Sequence, residues 1–420
     1  MRVAFSTFGC KINQYDTELM RREFASRGGT IVSFDDDADV YIINTCTVTS
    51  KSDYQCRQAI RSIARRGKTG RVVVTGCYAE TRPDELRKIP GVGLVIGNSS
   101  KSSIVDQVAA YMGTNPLPDA QKPDVAFTRT RGVLKIQDGC DARCSYCIVP
   151  AARGRPKSMH PDMVVSEFKG MVSRGCPEVV LTGIHVGCYG ADLDIDIDLE
   201  SLLRVLLVYK GSSRIRLSSI EPQELTPGII SMLGNGLCRH LHIPLQSGDD
   251  SILRAMNRRY TAGFYMDLIN LIAKEVPDIG LGADVMVGFP GEGDKEFENT
   301  LRLIEALPVT YLHVFSFSPR PGTSALDMKG QVPESVKKER SAVLRQLGVK
   351  KNLEFRTRLI GKPLEAVVIN KMDEQSGWFL GITDNYVRVV IDGYNKQLAG
   401  ENIKIAIKKV DEQKTLAEIC

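Results

Sequence analysis

The first 115 or so residues alternate short apolar runs with stretches of helical spacing. VAFSTF precedes a helical pattern from Tyr15 to Arg27, and VYIINT precedes one from Ser52 to Arg66. RVVVTG is followed by a short helix after Pro83, and GLVIG by one from Ser102 to Met112. Near-continuous apolar strands between helices predict a parallel sheet covered on both faces. The Pro-rich, polar stretch Gly113–Asp124 reads as a linker. A second series then places strands at VLKIQD, EVVLTGI, RIRLSSI, HLHIPL, IGLGADVMVGF and YLHVFSF. Helical patterns lie between them, around Val164–Ser173, Leu199–Tyr209, Thr226–Leu233, Tyr265–Lys274 and Glu296–Ala306. Six strand–helix units predict a full or partial β/α barrel, closed by a charged helix from about Glu334 to Leu359. From Gly361 onward the chain is β-rich with turn residues between strands, the pattern of a small barrel.

Composition adds little to this picture until the cysteines are counted. The 420 residues are 43% hydrophobic, enough for sizeable cores, and the net charge of +5 does not by itself argue for a polyanion partner. No run of about 18 apolar residues exists, and MRVAFSTFGC reads as a strand rather than a signal segment. The expected location is therefore the cytosol. In a reducing compartment, eleven cysteines point to metal binding or catalysis rather than disulfides.

Cys140, Cys144 and Cys147 form C-x3-C-x2-C within DGCDARCSYC. Composition alone would produce this spacing about 0.01 times in such a chain. Three thiolates suit a [4Fe–4S] cube, which normally takes four, and so leave one iron open to another ligand. The alternative is a structural zinc site lacking its fourth ligand. Cys10, Cys46 and Cys77 are far apart in sequence, yet each ends an apolar strand. In an open parallel sheet, ligands collect at the carboxyl ends of strands, so these three are candidates for a second metal centre. On the residues alone, small buried hydrophobes remain the alternative.

FGCKINQYDTE, NTCTVT and TGCYAE resemble the N-terminal domain of the methylthiotransferases, and DGCDARCSYCIVPAARGRPKS resembles their radical S-adenosylmethionine (SAM) core. LTGIHVGCYG, LSSIEPQEL, HLHIPLQSGDDSILRAMNRRYT, VGFPGE and FSPRPGT extend the likeness, and the tail is similar to their TRAM domain. The resemblance covers essentially the whole chain, in order. It implies an α/β protein of three parts: an open parallel-sheet domain (1–115), a partial (β/α)6 radical SAM barrel (126–357) and a small OB-like TRAM barrel (358–420). It further implies two [4Fe–4S] clusters, with Cys10, Cys46 and Cys77 holding an auxiliary one, and SAM bound at Cys140, Cys144 and Cys147. GCKINQYD, TGIHVGCYG and SIEPQEL most resemble the subgroup that methylthiolates N6-threonylcarbamoyladenosine in the tRNA anticodon loop. Other members act on isopentenyladenosine in tRNA or on a ribosomal protein. A non-catalytic iron–sulfur RNA-binding protein is the alternative of a different class. Such an enzyme needs an electron donor and a sulfur source, and no membrane.

Further residues are candidates on this basis. Tyr146, between two cysteines, is a candidate to meet the SAM adenine through its ring or backbone, with simple packing as the alternative. Arg153 and Arg155 supply guanidinium forks suited to a carboxylate or phosphate, facing SAM or the space between clusters. Glu221 and Gln246 end barrel strands, and a carboxylate there suits ribose hydroxyls or the SAM amino group. Gly183 would let SAM approach the backbone. His185 reads as a loop histidine with local partners, and Cys188 as a non-ligand. Arg57, Arg61 and Arg65 recur at i, i+4 and i+8, with Lys51, Arg66, Lys68 and Arg71 nearby, as a candidate tRNA-phosphate stripe; Lys408 and Lys409 are weaker candidates.

Overall fold

The computed structural model describes residues 1–67, 70–114, 130–393 and 398–420. Lys68 and residues 115–124 of the expected linker lie outside them. The described residues form two compact units. One contains residues 1–114 with Asp138–Pro156 and Ser318–Leu326; the other contains residues 130–137, Lys157–Phe317 and the remainder of the chain. This division differs from boundaries placed by sequence, because two later segments group with the N-terminal residues.

In the first unit, five parallel strands run β1 (Arg2–Thr7), β2 (Thr30–Val32), β3 (Val40–Thr45), β4 (Arg71–Gly76) and β5 (Val92–Ile96), in sheet order β2-β1-β3-β4-β5. Side chains alternate between faces. Val40, Ile42 and Val73 join Phe24, Ile104 and Val108 in one core; Tyr41, Ile43 and Val74 join Cys56, Ile60 and Ile63 in the other. Burial on both faces explains the unbroken apolar runs. The edge strand β2, three residues long, was not expected. Helix Lys11–Ser26 starts earlier than the spacing suggested, directly after Cys10. Helix Ser50–Arg65 starts where Thr49 accepts a hydrogen bond from the Ser52 amide.

In the second unit, six parallel strands lie in chain order: β6 (Gly132–Lys135), β7 (Glu178–Thr182), β8 (Arg214–Leu217), β9 (His240–His242), β10 (Gly280–Val287) and β11 (Tyr311–Ser316). They form two three-stranded sheets, joined by bridges at Ile215–Leu237 and Ser219–His242. This is the partial (β/α)6 barrel. One face is apolar, with Val179, Leu181, Ile215, Leu281 and Val285; the other carries Glu178, Arg214, Arg216, His242, Asp284 and His313. Helix Glu334–Arg358 leads to a closed five-stranded barrel: β12 (Pro363–Met372), β13 (Phe379–Thr383), β14 (Arg388–Ile391), β15 (Asn402–Val410) and β16 (Thr415–Ile419). Phe355 of the helix and Leu359, just past its end, enter its core. Arg356 donates to the carbonyls of Asp411 and Lys414 at 2.9 and 3.1 Å. Among the described residues, no helix is long and apolar enough to cross a membrane.

Candidate metal centres and their surroundings

β1, β3 and β4 are parallel neighbours, so their carboxyl ends share one edge of the sheet. Cys10, Cys46 and Cys77 follow those ends. Gly9 has φ +97°, and a Cβ there would lie 2.7 Å from Cys46 Cβ, so glycine lets the Cys10 loop close on Cys46. Gly76, at φ +101°, would strike the Thr45 backbone with any side chain, which brings Cys77 against the same loop. Burial raises the Cys46 thiol pKa, and nearby Cys77 and Cys10 raise it further. Three cysteine sulfurs brought to one sheet edge are soft donors suited to a metal centre.

Asn13 stitches these loops together. Its Nδ2 donates to the Phe8 carbonyl at 2.7 Å and the Thr45 carbonyl at 2.9 Å. Asn44 Nδ2 donates back to the Asn13 carbonyl at 2.9 Å.

The second cysteine set lies in the same compact unit. Cys140 N–H donates to the Gly154 carbonyl at 3.0 Å, and Cys147 N–H to the Cys144 carbonyl at 3.0 Å. Gly139 is at φ +70°, and a Cβ would meet the Arg155 carbonyl at 2.0 Å. The Ala325 amide donates to the Ser145 carbonyl at 2.8 Å. The Ala142 amide donates to Cys140 Sγ at 3.4 Å. All three thiols are half-buried, and no disulfide joins any of the eleven cysteines. Asn98 Oδ1 and Arg153 Nε are buried without a hydrogen-bond partner in the described residues. Two soft donor sets with orphaned polar atoms beside them fit iron–sulfur clusters.

The other sequence candidates divide between the units. Tyr146 is half-buried and Arg155 exposed, both in the cysteine loop. Arg153 is engaged by protein: its Nη1 reaches both Asp138 oxygens at 3.0 Å and its Nη2 reaches Asn13 Oδ1 at 2.6 Å. Arg57 turns to the Tyr78 hydroxyl at 2.9 Å, and Arg66 pairs with Asp35. Within the i, i+4, i+8 row Arg61 and Arg65 are exposed, and so are the nearby Lys51, Arg66 and Arg71.

In the barrel unit, the space beside Gly183 is taken by Gln137 and Val186, which a Cβ would meet at 3.0 and 2.9 Å. That glycine makes room for protein side chains. Glu221 is paired with Arg258; burial raises its pKa, and the arginine opposes the rise. Gln246 has a left-handed backbone, φ 64°, held by its amide on the Asp284 carbonyl at 2.8 Å. His185 lies 2.5 Å from Glu224 and 3.3 Å from Cys188 Sγ. Asp284, which sequence reading passed over, sits 3.3 Å from His242 and 3.4 Å from His313. Burial works to raise its pKa, but the two imidazoles outweigh this and bring it down to about 2.

Comparison with known proteins decides the family. Residues 2–97 match the family described as "Uncharacterized protein family UPF0004", and residues 134–304 match the radical SAM superfamily. The chain is 40% identical to the threonylcarbamoyladenosine tRNA methylthiotransferase of Bacillus subtilis, covering 97% of this chain and 94% of that protein. It is 37% identical to the Aquifex aeolicus protein of that name, covering 97% and 100%. The chain belongs to the methylthiotransferase family of radical SAM enzymes. A relative with a different printed substrate, the tRNA-2-methylthio-N(6)-dimethylallyladenosine synthase of Fervidobacterium nodosum, is 33% identical over 100% and 99% of the chains. Among solved structures, the radical SAM methyltransferase TsrM of Kitasatospora setae matches with TM-score 0.59 at 16% identity, covering 77% of each chain. That likeness concerns the methylthiotransferase's fold alone.

The polar residues around the thiols were missed by sequence reading. A signal existed for part of them: Asn13, Asp16 and Thr17, at helical spacing, form a buried polar stripe.

Proposed function

We propose that this methylthiotransferase converts N6-threonylcarbamoyladenosine in tRNA to its 2-methylthio derivative, using SAM and two [4Fe–4S] clusters. The observation that carries the reading is the gathering of two three-cysteine sets, within residues 10–77 and 140–147, into one compact unit. The names of the 40% and 37% identical relatives favour threonylcarbamoyladenosine over dimethylallyladenosine.

Cys10, Cys46 and Cys77 would hold the auxiliary cluster, and Cys140, Cys144 and Cys147 the cluster that leaves an iron open for SAM. The chemistry supplied there is one-electron cleavage of SAM to a 5′-deoxyadenosyl radical. A radical suits the substrate, since position 2 of an adenine ring is a poor target for polar chemistry. The chain's own residues bind and orient. Tyr146 is a proposed SAM contact, and KM for SAM in its alanine variant reads that role. The adenine must be unstacked to be reached, which an anticodon loop permits. An electron donor and a sulfur source complete the partners, and the cytoplasm is the proposed location.

Anaerobic assay on tRNA bearing N6-threonylcarbamoyladenosine, followed by nucleoside mass spectrometry, should show the methylthiolated base. Product only on isopentenyladenosine tRNA, or none on any tRNA, would overturn the substrate assignment. Arg61 and Arg65 are proposed phosphate contacts. The double variant R61E/R65E should weaken tRNA binding and flatten the dependence of log K on log salt by about 2. An unchanged slope would remove this surface from the interface.

A further inference from the structure

Two side chains outside the thiol sets tie those sets together. Asn98 follows β5. Its Nδ2 donates to the Ala152 carbonyl at 2.6 Å and lies 3.6 Å from Cys77 Sγ. Ala152 belongs to the short helix Val149–Arg153, which begins two residues after Cys147. One amide thus touches a thiol of the first set and the backbone that carries the second.

Arg153 ends that helix, and its side chain is only 3% exposed. Its fork holds Asp138, two residues before Cys140, at 3.0 Å through both oxygens. It also donates to Asn13 Oδ1 at 2.6 Å and lies 3.3 Å from Asp16. Asn13 in turn holds the Phe8 and Thr45 carbonyls, beside Cys10 and Cys46. Lys101 completes the group, 3.0 Å from Asp16. A single guanidinium therefore braces the roots of Cys10, Cys46 and Cys140. Burying Arg153, Lys101 and Asp16, with Asp138 partly exposed, carries a desolvation penalty, and apolar packing would hold loops at lower cost. What the charged network adds is direction and a fixed geometry. A lysine could not supply both, because its ammonium lacks the planar fork that grips Asp138 and Asn13 at once.

We propose that Arg153, assisted by Asn98, is a positioning residue that fixes one cysteine set relative to the other and so couples SAM cleavage to methylthio transfer. This rests on the reading of both sets as cluster ligands. Arg153 makes the connection through Asn13 and Asp138, and Asn98 through Cys77. A displacement near 1 Å of reacting groups can cost about 10²-fold in rate, so small changes here should be visible as uncoupling.

The test uses the full chain, anaerobically reconstituted, as wild type, Arg153→Lys and Asn98→Ala. Iron and sulfide per chain, the midpoint potentials of the clusters, and the ratio of 5′-deoxyadenosine to methylthiolated nucleoside are measured. Both variants should keep wild-type iron and sulfide and cleave SAM within about threefold of wild type. Their ratio of 5′-deoxyadenosine to product should rise by at least about tenfold. At least one midpoint potential should move in Arg153→Lys. A wild-type ratio with wild-type potentials in both variants would overturn the proposal. So would loss of iron and sulfide in both, which would make the residues merely structural. Iron for only one cluster in the wild type would instead bring down the underlying reading of the cysteines.

Discussion

Replacing Cys140, Cys144 or Cys147 with alanine is expected to abolish 5′-deoxyadenosine formation, a loss of at least about 10³-fold, while the chain stays folded. Backbone hydrogen bonds also hold the loop's shape. It is pinned by the Cys140 amide on Gly154, the Cys147 amide on Cys144 and the Ala325 amide on Ser145. All three side chains are half-buried rather than sealed in a core. Removing one sulfur should therefore change stability by no more than about 1 kcal/mol. The checks are chromatographic detection of 5′-deoxyadenosine under strong reductant and a melting curve of each variant. A variant that cleaves SAM at the wild-type rate would remove that cysteine from the site.

Glu178→Gln should be the most damaging single change to the barrel unit. Glu178 is fully buried. Its Oε2 lies 2.8 Å from both Arg214 and Arg216, and Arg131 adds a third cation at 3.2 Å. Burial alone would raise its pKa, but the arginines reverse this and hold it well below the usual carboxylate range. The same two arginines reach on to the small barrel. Arg216 donates to the carbonyls of Thr383 and Asp384 at 2.9 and 3.0 Å, and Arg214 to those of Glu365 and Ile382 at 3.1 and 2.5 Å. Glutamine would leave these buried cations without a counter-charge, at a cost of about 3–5 kcal/mol. The melting temperature should fall by about 6–20 °C. The pH dependence has a definite sign. A depressed folded pKa contributes stability that is present above the unfolded value, about 4.3, and lost as pH falls through the folded value. Wild type should lose this contribution only in strong acid, and Glu178→Gln should lack that acid-dependent portion. A variant melting with wild type would show that the cluster does not hold the two barrels together.

The sheet and the barrel were legible because apolar strands and helical spacing repeat along the chain. That Cys10, Cys46 and Cys77 share one edge of the sheet was legible because each one follows a strand, and parallel pairing then puts strand ends side by side. Edge strand β2 escaped because three half-exposed residues carry no periodicity. The charge network around the thiols escaped for another reason. Arg153 meets Asn13 and Asp16 across 140 and 137 residues, a pairing that no local pattern encodes. The basic stripe misled in part, since helical spacing could not show that Tyr78, twenty-one residues on, turns Arg57 inward. At Gly183 the strand-end position suggested room for a ligand, whereas the residue accommodates Gln137.

Iron and acid-labile sulfide counted per chain after anaerobic reconstitution, in wild type and in a variant lacking Cys10, Cys46 and Cys77, test the two-centre arrangement most directly. Two cubane clusters require about eight iron and eight sulfide in the wild type and about half of each in the variant. Equal counts in the two proteins, near four of each, would contradict it.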